Sequence, residues 1–301
     1  MRRGFSRADV AAALVVLTVV GAVGVTVSSA DPSGRTERLM ESLANLRAIG
    51  AATSHYRADN AGYLPLEMTT VRRRPRADGR DIAGWCTWNY GGKNCSAFWV
   101  SGAAFDVEAA DRPLNPYLYP DYTFTAPPPP ARLPANDPAR LNQQARVFRD
   151  PADINGHQRR WPQANSPQTS CYDDIGTSYP AQMAWWNQIV SRFPAMPFAQ
   201  QYNLGTSRLA TDQGVDPSRF IYFHDETGDL VLNSSSPQFI SEGNHGVRNA
   251  GVALFADGHA GLTTFRAGMS RNSSITAEYS VWFEDLGRPG GDPRPTPVPG
   301  R

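Results

Sequence analysis

Five residues in the C-terminal third combine imidazole and carboxylate chemistry: the adjacent His224 and Asp225, then His245, then Asp257 and His259 around a glycine. Imidazole nitrogen with carboxylate oxygen suits zinc or iron, and residues at the ends of antiparallel strands can converge on one ion. A second stretch, "DPADING" at 150–156, offers Asp150, Asp153, Asn155 and the Gly156 carbonyl, oxygen ligands of the kind calcium takes. Both groups also have a plain structural reading, which is preferred here. Asp257-Gly258 is a turn-favouring pair, since both residues tolerate the positive φ of a type I′ hairpin turn, and His259 can bond a loop carbonyl. Asp150 reads as an Asx-turn. No resident cofactor is expected. The alternatives kept are calcium at Asp150 and Asp153, and a metal at His245, Asp257 and His259.

Other catalytic constellations are missing. "GTS" occurs at 176–178 and 205–207, but neither forms a Gly-x-Ser-x-Gly elbow, and no glycine-rich phosphate loop follows a strand pattern. The acid pairs Asp173-Asp174 and Glu284-Asp285 read as solvated. An enzyme is therefore not expected. Aromatic residues suggest a different chemistry. "WCTWNYGGKNCSAFW" at 85–99 holds Trp85, Trp88 and Trp99, three of the seven tryptophans, and "MAWWNQ" adds two more. Stacked indoles suit sugar faces, and they also suit the core of a small sheet, the preferred reading.

Bulk properties narrow the partners. With a net charge of +1 over 301 residues the chain has no broad basic footprint, so no nucleic-acid partner is expected. "RRRPR" at 72–76 reads as a solvated loop. Cys86 and Cys95 bracket Gly91-Gly92 and make a candidate short-loop disulfide in an exported domain, leaving Cys171 as a buried free thiol.

The elements that must position these groups begin with an anchor. Val10 to Ala30 contains no charged residue, and as a helix it reaches about 31 Å, enough to cross a bilayer. Arg2, Arg3 and Arg7 precede it and keep the N terminus cytoplasmic. Asp9 at its mouth is costly unless paired. A signal peptide, an ordinary anchor and a segment processed in a third way all stay open on these residues alone. "DPSG" at 31–34 should interrupt the helix. Leu39, Leu43, Leu46, Ile49 and Ala52 then recur at helical spacing, predicting a second helix with one buried stripe that ends at Gly62 and Pro65. Residues 66–150 are loop-rich, with an extended proline insertion at 125–140. Strands are expected at 219–226, in "GDLVLN", and twice within 250–268 around Asp257-Gly258, giving an antiparallel sheet. The tail from 287 to 301 should be disordered.

Two stretches carry a family resemblance. "RRGFSRAD" looks like the processing signal of type IV prepilins and type II secretion pseudopilins. "NLRAIGAATSHYRADNAGYLP" and "NHGVRNAGVALFADGHA" resemble the pilin-like proteins with a prepilin-processing-associated His to Asp-Gly C-terminal domain, a planctomycete-type family. "RPLNPYLYPD" at 112–121 and "VFRDPAD" at 147–153 are also similar to segments of that family, which usually has Cys-Pro where this chain has Asp150-Pro151. The signature would be His245, Asp257, Gly258 and His259, with a longer spacer than the family's between His245 and Asp257.

The resemblance implies cleavage by a prepilin peptidase after Gly4, methylation of Phe5, and Asp9 in the family's acidic position, paired with a neighbouring subunit. The fold it implies is α+β and pilin-like: an N-terminal transmembrane helix and an amphipathic helix packed on an antiparallel β-sheet with loop-rich insertions. The organisation is a leader at 1–4, a transmembrane helix at 5–30, an exported domain at 31–286 and the tail at 287–301. The expected function is a pseudopilin-like structural subunit or accessory protein of a type II secretion or type IV pilus-like system. It would be single-pass in the inner membrane, its C-terminal domain periplasmic or at the cell surface, and would contact other pilin-like subunits through the N-terminal helix. The alternative is a membrane-tethered glycan or cell-wall-binding protein that uses the tryptophan-rich surface.

Overall fold

Helix α1 (Pro32–Asp59) follows from the apolar spacing. It buries Leu43, Leu46, Ile49 and Ala52 along one face, with Leu39 partly buried at its start. The structure, a computed structural model, describes residues 32–66, 87–94, 107–124, 142–153, 170–234, 236, 238–267 and 278–287. The leader and apolar segment, Cys86, Cys95, Trp85, Trp99, Asn155, Gly156, the proline run and the tail beyond Gly287 lie outside the described residues. Among the described residues no helix is long and apolar enough to cross a membrane.

Pro32 and Gly34, expected to interrupt a helix, both lie within α1, and Pro32 is its first residue. A proline is tolerated there because the first-turn amides have no intrahelical acceptor. The exit of α1 is as expected. Gly62 takes φ 84°, and its amide donates to the Arg57 carbonyl at 2.8 Å, the bond that closes a helix C terminus. Arg57 then fastens this end to the rest of the domain. Its Nη1 donates to the Tyr222 hydroxyl at 2.9 Å and its Nη2 to Asp212 Oδ1 at 3.0 Å.

After short helices α2 (Asn115–Leu118) and α3 (Cys171–Ile175) come α4 (Ala184–Arg192) and α5 (Phe198–Ala210), which meet where Gly205 lies against the Trp185 ring. β1 (Ile221–His224) leads directly into α6 (Glu226–Leu232). β2 (Ala250–Phe255) and β3 (Ala260–Thr264) complete a three-stranded antiparallel sheet in the order β1-β2-β3.

Both faces of the sheet are covered. Val252 and Leu254 of β2 join the core that contains the α1 stripe, while Ala253 and Phe255 join Val231, Leu232, Phe265 and Trp282 on the other side. The period of two along β2 thus feeds two cores, so this strand is buried throughout. The outer edge of β1 is covered too: the His224 amide donates to the Pro180 carbonyl and the Gln182 amide to the Tyr222 carbonyl.

Two strand-level expectations are corrected. "GDLVLN" is helical through Leu232, because Asp225 caps α6 by accepting from the Gly228 amide at 3.2 Å and the chain turns before a strand can start. The β2–β3 connection is not a type I′ turn. Gly258 alone takes positive φ there, at 91°, and the Gly258 amide donates to the Phe255 carbonyl.

Three of the four paired acids, Asp173, Glu284 and Asp285, are tied to cations rather than merely solvated. Asp173 accepts from Lys93 Nζ at 2.5 Å, Asp285 takes both its oxygens to Arg208, and Glu284 pairs with Arg219 at 3.2 Å. Cys171 is buried and takes part in no disulfide, as expected.

Candidate functional site

Three chain segments far apart in sequence deliver polar side chains to one buried point. Asp150 follows the short 3-10 turn Arg146–Phe148, Asp225 stands between β1 and α6, and His245 lies in the loop entering β2. One ligand atom from each lies within 4.8 Å of the others, and all three residues are buried. His245 Nε2 donates to Asp150 Oδ2 at 3.1 Å. Asp150 Oδ1 accepts from the Ala152 amide at 2.8 Å, the expected Asx-turn, which fixes the carboxylate with its other oxygen toward the imidazole.

Asp225 is held by backbone alone. Its Oδ1 accepts from the Gly228 amide and its Oδ2 from the Val252 amide, both at 3.2 Å. The carboxylate rests against Gly251 of β2, where a Cβ would lie 2.0 Å from Oδ1. Only glycine leaves that space.

Electrostatics match the geometry. Burial, reinforced by the charge of Asp150 against the opposing pull of His245, pushes the Asp225 carboxyl up to about 7. Burial tends to lower His245, but its hydrogen bond to Asp150 and the charges of Asp150 and Asp225 hold it above the usual imidazole value. Tyr179 is near enough to feel both acids. Burial first, then the charge of Asp150, raises its phenol well above the usual tyrosine range, so it stays neutral. Its hydroxyl is 2.8 Å from Ser42 Oγ on α1, and Asn45 of the same helix donates to the Arg149 carbonyl at 2.9 Å. α1 is therefore a wall of the site as well as of the core.

No protein-family model, curated protein or solved structure matches the chain.

The expected groupings are redrawn. Asp257 and His259 pair with each other on the surface, His259 Nδ1 lying 2.6 Å from Asp257 Oδ1, with the His259 ring stacked on Phe255 at 4.1 Å. They close the hairpin at the far end of β2 from His245, a strand length of about 20 Å. A site shared by His245, Asp257 and His259 is thus ruled out by the strand between them. Asp153, grouped with Asp150 as a calcium ligand, turns away instead. It accepts from the Cys171 and Tyr172 amides at 3.0 Å and from Ser178 Oγ at 2.7 Å, satisfying the start of α3. His224 is buried beside Gly228 with Nδ1 2.7 Å from the Asp225 carbonyl, and burial lowers it below the usual imidazole range.

The tryptophan surface is also reduced. Trp88 and Trp185 are buried, and Trp186 is partly buried edge-to-face against Phe198. Sequence reading had flagged each member of the buried triad but not their union. The clue was Gly251, a glycine inside an otherwise apolar strand run, which marks a close approach.

Proposed function

We propose that this chain is a pilin-like structural subunit or accessory protein, anchored in the inner membrane by residues 5–30, whose domain at 31–286 is exported. The observation that carries the reading is α1. A 28-residue helix follows the uncharged run in the sequence and joins its apolar stripe to the core it shares with the antiparallel sheet. The processing signal around Gly4, Phe5 and Asp9 supports the same role, with a prepilin peptidase as the first partner. Gly21, Ala22 and Gly24 supply the small residues that close packing between membrane helices needs.

The buried triad also favours a structural role. Its side chains are closed to solvent, so a substrate has no route to them without local opening. The glycan-binding alternative loses support from Trp88, whose indole is spent on packing.

Photo-crosslinking from Ala22 in the native membrane tests the proposal. A ladder of multiples of the mature chain, just under the 32.9 kDa of the full sequence, is expected. A monomer only, with retention on cell-wall glycan that is lost in Trp85→Ala or Trp99→Ala, would replace it by the tethered binding protein.

A further inference from the structure

We propose that Asp150, Asp225 and His245 form a closed binding site for a divalent cation of the zinc type, which clasps three separate chain segments beneath α1. The proposal stands on the donor set and its geometry and is independent of the anchoring role.

Bond geometry comes first. In a tetrahedral site with zinc bonds of about 2.0–2.1 Å, neighbouring ligand atoms stand about 3.3 Å apart. His245 Nε2 and Asp150 Oδ2 already stand 3.1 Å apart. The proton between them occupies the place a cation would take, and the third donor, within 4.8 Å of both, needs only to close in. Deprotonated imidazole nitrogen and carboxylate oxygen are the ligand types such a metal requires.

The donor count comes second. Two carboxylates present about eight lone-pair positions. Among the described residues four hydrogens reach them: from the Ala152, Gly228 and Val252 amides and from His245 Nε2. The His245 side chain is 1% exposed, and its Nδ1 has no hydrogen-bond partner among the described residues. A buried imidazole whose only hydrogen bond among the described residues is to a carboxylate, beside a second carboxylate, leaves donor atoms unused where water does not reach them. A cation that takes up these lone pairs, with loss of the protons they hold, uses that spare capacity.

The ligand set also selects the ion. Calcium takes six to eight oxygens and magnesium keeps several waters, whereas an imidazole with two carboxylates in a closed pocket suits zinc and its first-row neighbours. Because every ligand is buried, the ion would serve folding rather than turnover.

The test uses the full chain purified in detergent from zinc-supplemented cells, with elemental analysis, followed by chelator stripping and equilibrium dialysis against zinc and cobalt(II). One zinc per chain is expected, with visible cobalt absorption characteristic of nitrogen and oxygen ligation. Asp150→Asn keeps the Asx-turn acceptor and the side-chain shape, and His245→Gln keeps most of the volume. Each should weaken binding by at least about tenfold, since even the loss of a group that only supports a ligand costs that much. His259→Ala, which removes the exposed hairpin histidine, should bind like wild type. A folded wild-type chain that carries no zinc and takes up none overturns the proposal, whatever the variants do. So does undiminished binding in Asp150→Asn and His245→Gln, or loss of binding in His259→Ala alone, which would assign the ion to the surface.

Discussion

The buried imidazole of His245 donates to Asp150, ninety-five residues earlier in the chain, at 3.1 Å, and not to Asp257, which follows it in the sequence. The His and the Asp-Gly therefore work at opposite ends of β2. His245 joins the loop before β2 to the loop after Phe148, and Asp257 locks the hairpin beyond. Asp150→Ala should cost about 3–5 kcal/mol, because it leaves His245 buried without its acceptor. Asp257→Ala removes an exposed acceptor shared by the His259 amide and ring, and should cost about 1 kcal/mol. Urea unfolding followed by tryptophan fluorescence separates the two, and equal losses would contradict this division of labour.

Gly251 and Gly258 make a matched pair of controls. A Cβ at Gly251 lies 2.0 Å from Asp225 Oδ1, whereas at Gly258 it meets nothing within 4 Å and is opposed only by a φ of 91°. Gly258→Ala should cost about 1–2 kcal/mol of backbone strain. Gly251→Ala should cost more, about 3 kcal/mol, because it displaces a buried carboxylate from its backbone donors. Equal midpoints for the two variants would mean that Asp225 has another place to go.

Arg112 is fully buried, and backbone carbonyls hold it. Its guanidinium donates to the carbonyls of Trp88, Gly91 and Ile175 at 2.7–3.0 Å. These bonds join segments 87–94 and 170–176, which share little regular secondary structure. Arg112→Met should lose at least about 3 kcal/mol by orphaning those acceptors, and Arg112→Lys should recover only part, because a lysine cannot span the fork. Full recovery by lysine, measured by the same unfolding, would show that charge alone matters.

Acid stability should depend on Lys93. Burial tends to raise the Asp173 carboxyl, but the hydrogen bond and charge of Lys93, with help from Ser170 and Arg149, bring it below its ordinary value. A carboxyl held low in the folded state stabilises the fold above its unfolded pKa, and that contribution disappears as pH falls through the folded value. Lys93 also sits over the Tyr172 ring at 4.5 Å. Lys93→Met removes the lowering partner, so its stability at neutral pH should drop while its further loss on acidification becomes shallower. An unchanged acid limb would show that Asp173 is screened by solvent.

Much of the fold could be read from the residues, and the site only in pieces. The stripe from Leu39 to Ala52 and the Asp257-Gly258 turn are local signals, with periods and turn chemistry that act within a few residues. Leu230, Val231 and Leu232 look like a strand because an apolar run of that length has no period of its own. The deciding contact is the Asp225 cap, together with burial against Ala253 and Phe255. For the site, nearness in sequence misled. Asp257 and His259 flank one glycine, and Asp150 and Asp153 share a loop, so each pair looked like half of a ligand set. The true partners meet only after β1 and β2 have paired and the loop after Phe148 has packed, a contact between segments that no local pattern records.

The anchored, pilin-like reading is tested most directly by intact-mass and N-terminal peptide mass spectrometry of the chain extracted from its native membrane. The account predicts a mature protein that begins at N-methylated Phe5. A chain that retains Met1, or one that begins near Asp31, would contradict it.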